Sequence, residues 1–190
     1  MSYASLKQRA SSRDSNANPT IRREVLASRH RALLADEPRV GKTGAAIIAA
    51  DYILAKNIDV VTTASGRAVW RRGFHTWSKL GRTIGIVGVD KNAGDCDVRI
   101  LSYNGATTFV SKRATELVIL DESHNCKNPD AKRTQAVLGK PMAGGKSLFT
   151  EGALVRDHTR AWFLTGTPVA ARPFRYMDNH AFVMPREASC

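Results

Sequence analysis

Residues 36–43 read Asp-Glu-Pro-Arg-Val-Gly-Lys-Thr; they follow directly on the apolar stretch 32–35 and run into an Ala- and Ile-rich segment. A strand, a tight loop ending in Gly-Lys-Thr and then a helix is an arrangement that binds phosphate. Backbone N–H groups at the helix start, with the helix dipole behind them, cradle phosphate oxygens. In such a loop Gly41 keeps the backbone clear of the phosphate. Lys42 reaches the β- and γ-phosphates and the Thr43 hydroxyl ligates Mg²⁺, with Gly44 the next residue of the cradle. The strict spacing G-x-x-x-x-G-K-[ST] places a glycine where this chain has Asp36. The assignment therefore depends on what else reaches the same edge of the fold.

Two further groups do. The apolar run Leu117-Val118-Ile119-Leu120 ends in Asp121-Glu122-Ser123-His124. A buried strand that delivers two adjacent carboxylates to the C-terminal edge of an open α/β sheet puts them in its ligand crevice. There Asp121 can hold Mg²⁺ through water, and Glu122 can polarise an attacking water as general base. The stretch 161–165 runs into Gly166-Thr167-Pro168, bringing the hydroxyls of Thr165 and Thr167 to the same edge. By contrast, Gly144-Gly145-Lys146-Ser147 only mimics a phosphate loop. The required glycine falls on Lys140 and no buried strand leads into it, so it reads as a loop.

Positioning these groups requires an α/β domain, with short apolar strands alternating with helical stretches. Strands are predicted at 32–36, 59–64, 83–88, 98–103, 116–121 and 161–165, and helices at 43–55, 66–79, 105–114 and 129–138. Nearly continuous apolar strands imply a mostly parallel sheet covered by helices on both faces, a single doubly wound domain. Asn128 can cap the last helix, Pro129 suits its first position and Gly139 can end it in the left-handed conformation. Residues 139–160 are Gly-rich and aperiodic and read as a loop insertion. Residues 1–19, rich in Ser, Arg and Asn, read as a flexible basic arm before a domain over 20–190.

The 190 residues (20.8 kDa) carry 29 Lys+Arg against 17 Asp+Glu, a net charge of +12. That field favours polyanions, nucleic acid above all. Arg67, Arg71 and Arg72 form a basic cluster, although no base-reading module accompanies it. Trp70, Trp77 and Trp162 stand among apolar neighbours and read as core before they read as base-stacking platforms. Cys96, Cys126 and Cys190 are too few and too scattered for a disulfide framework or a four-ligand zinc site, which fits a reduced, intracellular protein. Cys126 reads as a small, partly buried residue. No apolar run reaches the length of a membrane span, so no membrane partner is expected.

Together, Asp-Glu-x-x-x-Gly-Lys-Thr, Asp-Glu-Ser-His and Leu-Thr-Gly-Thr-Pro resemble motifs I, II and III of superfamily 2 (DEAD/DEAH-like) helicases, closest in flavour to Swi/Snf-type translocases and their phage relatives. Val61-Thr62-Thr63-Ala64-Ser65 with Trp70 and Phe74 resembles motif Ia and its helix, and Ile100-Leu101-Ser102-Tyr103-Asn104 resembles the segment called Ib. The resemblance covers residues 30–173. It implies a RecA-like P-loop fold, ATP and Mg²⁺ as cofactors, and Lys42, Thr43, Asp121 and Glu122 as the residues that handle them. It further implies that His124, Thr165 and Thr167 couple nucleotide state to a second lobe and to DNA. Ser65, Arg67, Arg71, Ser102 and Tyr103 would then lie along the track of nucleic acid, duplex DNA by preference.

Such motors close ATP between two RecA-like lobes, and the second brings an arginine finger. Only the first lobe is legible here, so hydrolysis is expected to need a second lobe, supplied by another chain or missing from this one. Arg172, Arg175 and Arg186 read as surface charge, and the upstream glutamine that commonly reads adenine has no counterpart at a fitting distance in Gln8, Asn18 or Arg22. The Arg-Val-Gly-Lys-Thr variant points to a phage source and thus to the host cytoplasm. Two other readings stay open at this level: a terminase-type DNA-packaging ATPase, and a non-catalytic nucleotide- or DNA-binding module.

Overall fold

The computed structural model describes residues 19–35, 41–111, 113–140, 153–156, 158–166 and 182–183. They form α1 (Pro19–Ser28), β1 (Arg31–Ala35), α2 (Lys42–Tyr52), β2 (Ile58–Thr62), α3 (Gly66–Trp77), β3 (Ile84–Ile86), β4 (Val98–Ser102), β5 (Leu117–Leu120), α4 (Lys132–Leu138), β6 (Arg160–Thr165) and β7 (Phe182–Val183). Short 3₁₀ turns at Ala93–Asp95, Gly105–Thr107 and Ser123–Cys126 join them. The strands make one sheet in the order β3-β4-β2-β5-β6-β1-β7, and every pairing is parallel.

The apolar runs are continuous because both faces of the sheet are covered. Alternate residues of β1, β2, β4, β5 and β6 belong to two separate cores. Leu34, Val60, Ile100, Ile119 and Trp162 face one core with Leu26 of α1, Ala46 of α2 and Trp70 of α3. Leu33, Val61, Leu101, Val118 and Phe163 face the other with Val137 of α4 and Cys126. Each fully buried aliphatic or aromatic side chain of this kind contributes about 1.5–3 kcal/mol. The α/β fold with helices on both faces, expected from the sequence, is the fold observed.

All six predicted strands are present, each bounded within two residues of its expected limits. The differences lie in the connections. Helix α1 was not foreseen. The helix expected at 105–114 is reduced to the 3₁₀ turn Gly105–Thr107, and Phe109 beyond it packs under the Arg99 guanidinium instead. Helix α4 starts at Lys132, not at 129, because the Asn128 side chain accepts a hydrogen bond from Asp130 N (3.0 Å) and closes a turn of its own. Gly139 does end α4 at positive φ, but with φ 87° and ψ 178° it is extended and not left-handed helical. In the 139–160 stretch, the described residues Leu154 and Val155 are buried and donate their N–H groups to the carbonyls of Ala136 and Val137 in α4.

One polar pair lies inside this frame. Asp59 of β2 and Arg99 of β4 stand directly opposite each other and are 0% and 1% exposed. Arg99 donates Nε to Asp59 Oδ1 (2.5 Å) and an Nη to Oδ2 (2.7 Å), and two hydroxyls complete the set.

Candidate nucleotide site

The order β5-β6-β1 sets the site. Leu120 of β5 aligns with Phe163 of β6, and Thr165 of β6 aligns with Ala35 of β1. The carboxyl ends of these three strands therefore lie side by side at one edge. With strands about 4.8 Å apart, β1 and β5 end about 10 Å from each other with β6 between them. The chain leaving β1 returns at Gly41 to start α2, and the chain leaving β5 is Asp121-Glu122. Helix start and carboxylates thus flank Thr165 from opposite sides. Residues 36–40 and Thr167 lie outside the described residues.

Gly41 is left-handed (φ 83°, ψ 25°), and among the described residues a Cβ there would meet nothing within 4 Å. This conformation favours glycine and leaves open space beside the first turn of α2, where helix N–H groups have no intrahelical acceptor. Lys42 is mostly buried in that turn. Helix α3 crosses closely behind. A Cβ on Gly73 would sit 3.3 Å from Thr43 Cγ2, and one on Gly44 would sit 3.4 Å from the Trp77 ring. Gly44 thus admits the half-exposed Trp77 indole against the helix start, a packing reason for a residue expected to serve the cofactor.

Asp121 is held on three sides. Its Oδ2 accepts from Thr62 Oγ1 (2.9 Å) and from Trp70 Nε1 (2.8 Å), and its carbonyl accepts from Tyr103 Oη (2.8 Å). Among the described residues, no hydrogen bond falls on Oδ1. Glu122 is a non-glycine residue at positive φ (φ 53°, ψ 50°) and opens the 3₁₀ turn that follows. Backbone held in this region against its own preference is common at reacting centres. His124 in that turn places Nδ1 3.2 Å from Glu122 Oε2 and 3.4 Å from Thr165 Oγ1, so it bridges the ends of β5 and β6. The set fits a nucleotide–magnesium group: an open helix start, a hydroxyl at Thr43, and a carboxylate with one oxygen fixed and one unengaged. Mg²⁺ in such sites takes one or two carboxylates plus phosphate oxygens, not an all-protein cage.

Of the residues expected along nucleic acid, Ser102 ends β4, Ser65 and Tyr103 follow the ends of β2 and β4, and Arg67 lies on the first turn of α3, at this same edge. Ser65 Oγ pairs with Thr63 Oγ1 (3.2 Å), and Ser102 Oγ accepts from Gly105 N (2.9 Å). Arg67 donates to the Ala64 carbonyl (3.2 Å) and Arg71 pairs with Asp90. Tyr103 departs from expectation: it is 5% exposed and its hydroxyl is spent on Asp121, so it supports the acidic turn from within. Two residues with no site role at sequence level, Thr62 and Trp70, are the ones that grip Asp121. A buried tryptophan usually finds an acceptor for its N–H, but nothing in the sequence names that acceptor.

Burial pushes the Tyr103 hydroxyl well above its ordinary value, and it pushes the Cys126 thiol up to about 12. Both groups are kept protonated in the folded chain, and both ionise more readily once unfolded. Stability they confer is intact below the ordinary thiol value of 9.0 and is lost as pH rises from there towards 12. Chemical denaturation is therefore expected to show a midpoint that is level up to about pH 9 and falls from there to pH 11, with the fall flattened in Cys126→Ala.

No family profile matches the chain. It is 29% identical over 161 residues to the SWI/SNF-related matrix-associated actin-dependent regulator of chromatin subfamily A-like protein 1 of Xenopus laevis, covering 82% of this chain. It is 32% identical over 156 residues to the protein of that name from Bos taurus and 32% over 158 residues to that from Drosophila melanogaster, covering 78% of this chain in each case. The match spans only 15–19% of the length of these relatives. Among solved structures, the Sulfolobus solfataricus SWI2/SNF2 ATPase core in complex with dsDNA superposes with TM-score 0.57 at 18% identity, covering 80% of this chain and 31% of that one. The Pyrococcus furiosus Hef helicase domain superposes with TM-score 0.58 at 12% identity, covering 84% and 34%. The chain thus shares the RecA-like α/β fold of these ATPase and helicase cores, and its sequence is similar to one segment of the SWI/SNF-related A-like proteins.

Proposed function

We propose that this chain is the ATP-binding first lobe of a DNA helicase or double-stranded DNA translocase, coupling Mg-ATP hydrolysis to nucleic-acid binding and completed by a second RecA-like lobe. The reading is carried by one arrangement: the Gly41–Lys42–Thr43 helix start and the Asp121–Glu122 turn flank the end of β6, with His124 touching both Glu122 and Thr165.

Each residue then has a task. The N–H groups opening α2 and the Lys42 ammonium would hold the phosphates, and Thr43 and Asp121 would hold Mg²⁺, which would supply charge neutralisation there. Glu122 takes the proton of the attacking water. His124 and Thr165 report the state of that acid across the lobe surface, where a second lobe would sit. That lobe would contribute the cationic group that stabilises the transition state, worth about 10³–10⁵ in rate. Ser65, Arg67 and Ser102 line the edge where a phosphate backbone would pass, and Arg71 joins them by exchanging Asp90 for phosphate. The relatives' names and the dsDNA in one structural neighbour support this assignment of partner.

The test is Mg²⁺-dependent binding of a fluorescent ATP analogue, followed by ATP hydrolysis with and without duplex DNA, comparing the chain with Lys42→Ala. Saturable binding lost in Lys42→Ala is expected, with slow turnover that DNA raises. Binding that is equal in the two proteins would overturn the nucleotide site.

A further inference from the structure

Resting on that reading, we propose that Trp70 is a positioning residue for the magnesium site, acting with Thr62 to fix the Asp121 carboxylate. The indole ring is 0% exposed and tilted at 41° against Phe74, with ring centroids 6.1 Å apart, so α3 and its neighbours allow it little freedom. Its Nε1 donates to Asp121 Oδ2 at 2.8 Å, and Thr62 Oγ1 donates to the same oxygen at 2.9 Å. Two donors converging on one oxygen set the rotation of the carboxylate and occupy Oδ2, which leaves Oδ1 as the ligand oxygen.

The donors come from the sheet and from a helix packed on it, not from the acidic turn. Thr62 ends β2, the strand that pairs with β5, and its register brings Val61 opposite Leu120. Trp70 stands between Arg67 and Arg71 on α3, and the Trp77 ring, which a Cβ on Gly44 would meet at 3.4–3.5 Å, packs that helix against α2. The carboxylate is therefore oriented by the same helix that backs the phosphate-binding turn. Neither donor would touch ATP or the metal, which is why they are positioning residues and not catalytic ones.

Trp70→Phe removes the N–H and keeps an aromatic ring, and Thr62→Val removes the hydroxyl at nearly constant shape. Each is compared with the parent chain by titrating MgCl₂ into a fixed concentration of fluorescent ATP analogue, with binding in EDTA and thermal melting as companions. A hydrogen bond to a charged group accounts for about tenfold or more. The Mg²⁺ midpoint is thus expected to rise about tenfold in each variant, with metal-free binding unchanged. A midpoint equal to the parent's in either folded variant overturns the proposal. Should Trp70→Phe fail to fold, Thr62→Val decides alone, because it withdraws a donor from the same oxygen. The nucleotide site itself is judged separately by Lys42→Ala: if that variant binds as the parent does, the reading of the site has failed, and not the role of Trp70.

Discussion

Arg99→Met is expected to destabilise the chain by about 3–5 kcal/mol, among the largest effects of any single substitution outside the hydrophobic cores. The guanidinium is 1% exposed and gives two hydrogen bonds to Asp59, itself fully buried, plus one each to Ser111 and Thr115. Removing it strands a buried carboxylate in a medium that cannot solvate it. The pair's net worth against an apolar pair is much smaller, since both charges lost their hydration on folding. Asp59→Leu combined with Arg99→Met should therefore recover most of the loss, short of the cost of leaving Thr115 without its carboxylate. For a domain of this size, thermal melting should fall by roughly 6–20 °C in the single variant. Additive losses in the double variant would show that the two side chains act independently and would refute a coupled pair.

Glu122→Gly is expected to abolish hydrolysis while leaving the fold within about 1 kcal/mol of the parent. Loss of a general base costs about 10²–10⁴ in rate. The backbone at φ 53° favours glycine over glutamate, which offsets the greater entropy glycine loses on folding. Among the described residues, the only side-chain contact surrendered is the partly exposed pair with His124, and such pairs contribute little. Binding of ATP analogue should persist, because Glu122 has no part in holding phosphate. Turnover comparable to the parent's would remove Glu122 from the role of base. A fall in melting temperature like that of Arg99→Met would show that the conformation at 122 is favourable and not strained.

Strands such as Leu117–Leu120 were readable because burial on both faces demands apolar residues at every position, a demand written directly into composition. The turn residues Gly41, Lys42, Asp121 and Glu122 were readable because their chemistry follows the ends of such strands. Phe109 and the segment around it were misread as helix. Their place is set by the Arg99 ring contact, a partner distant in sequence. Helix α1 was overlooked because its apolar face is short and two of its ten residues are arginine, Arg22 among them buried.

The sequence by itself determined the strands and the parallel sheet they had to form, and it singled out the residues proposed here for phosphate, metal and proton chemistry, because periodicity and residue type act locally. Only the tertiary structure decided that Trp70, Thr62 and Tyr103 converge on Asp121, that Glu122 is held at positive φ, and that Asp59 finds Arg99 across two neighbouring strands. Those are pairings between segments 18 to 59 positions apart. They are chosen by which groups are left to satisfy one another once the cores have closed, and no local pattern specifies that.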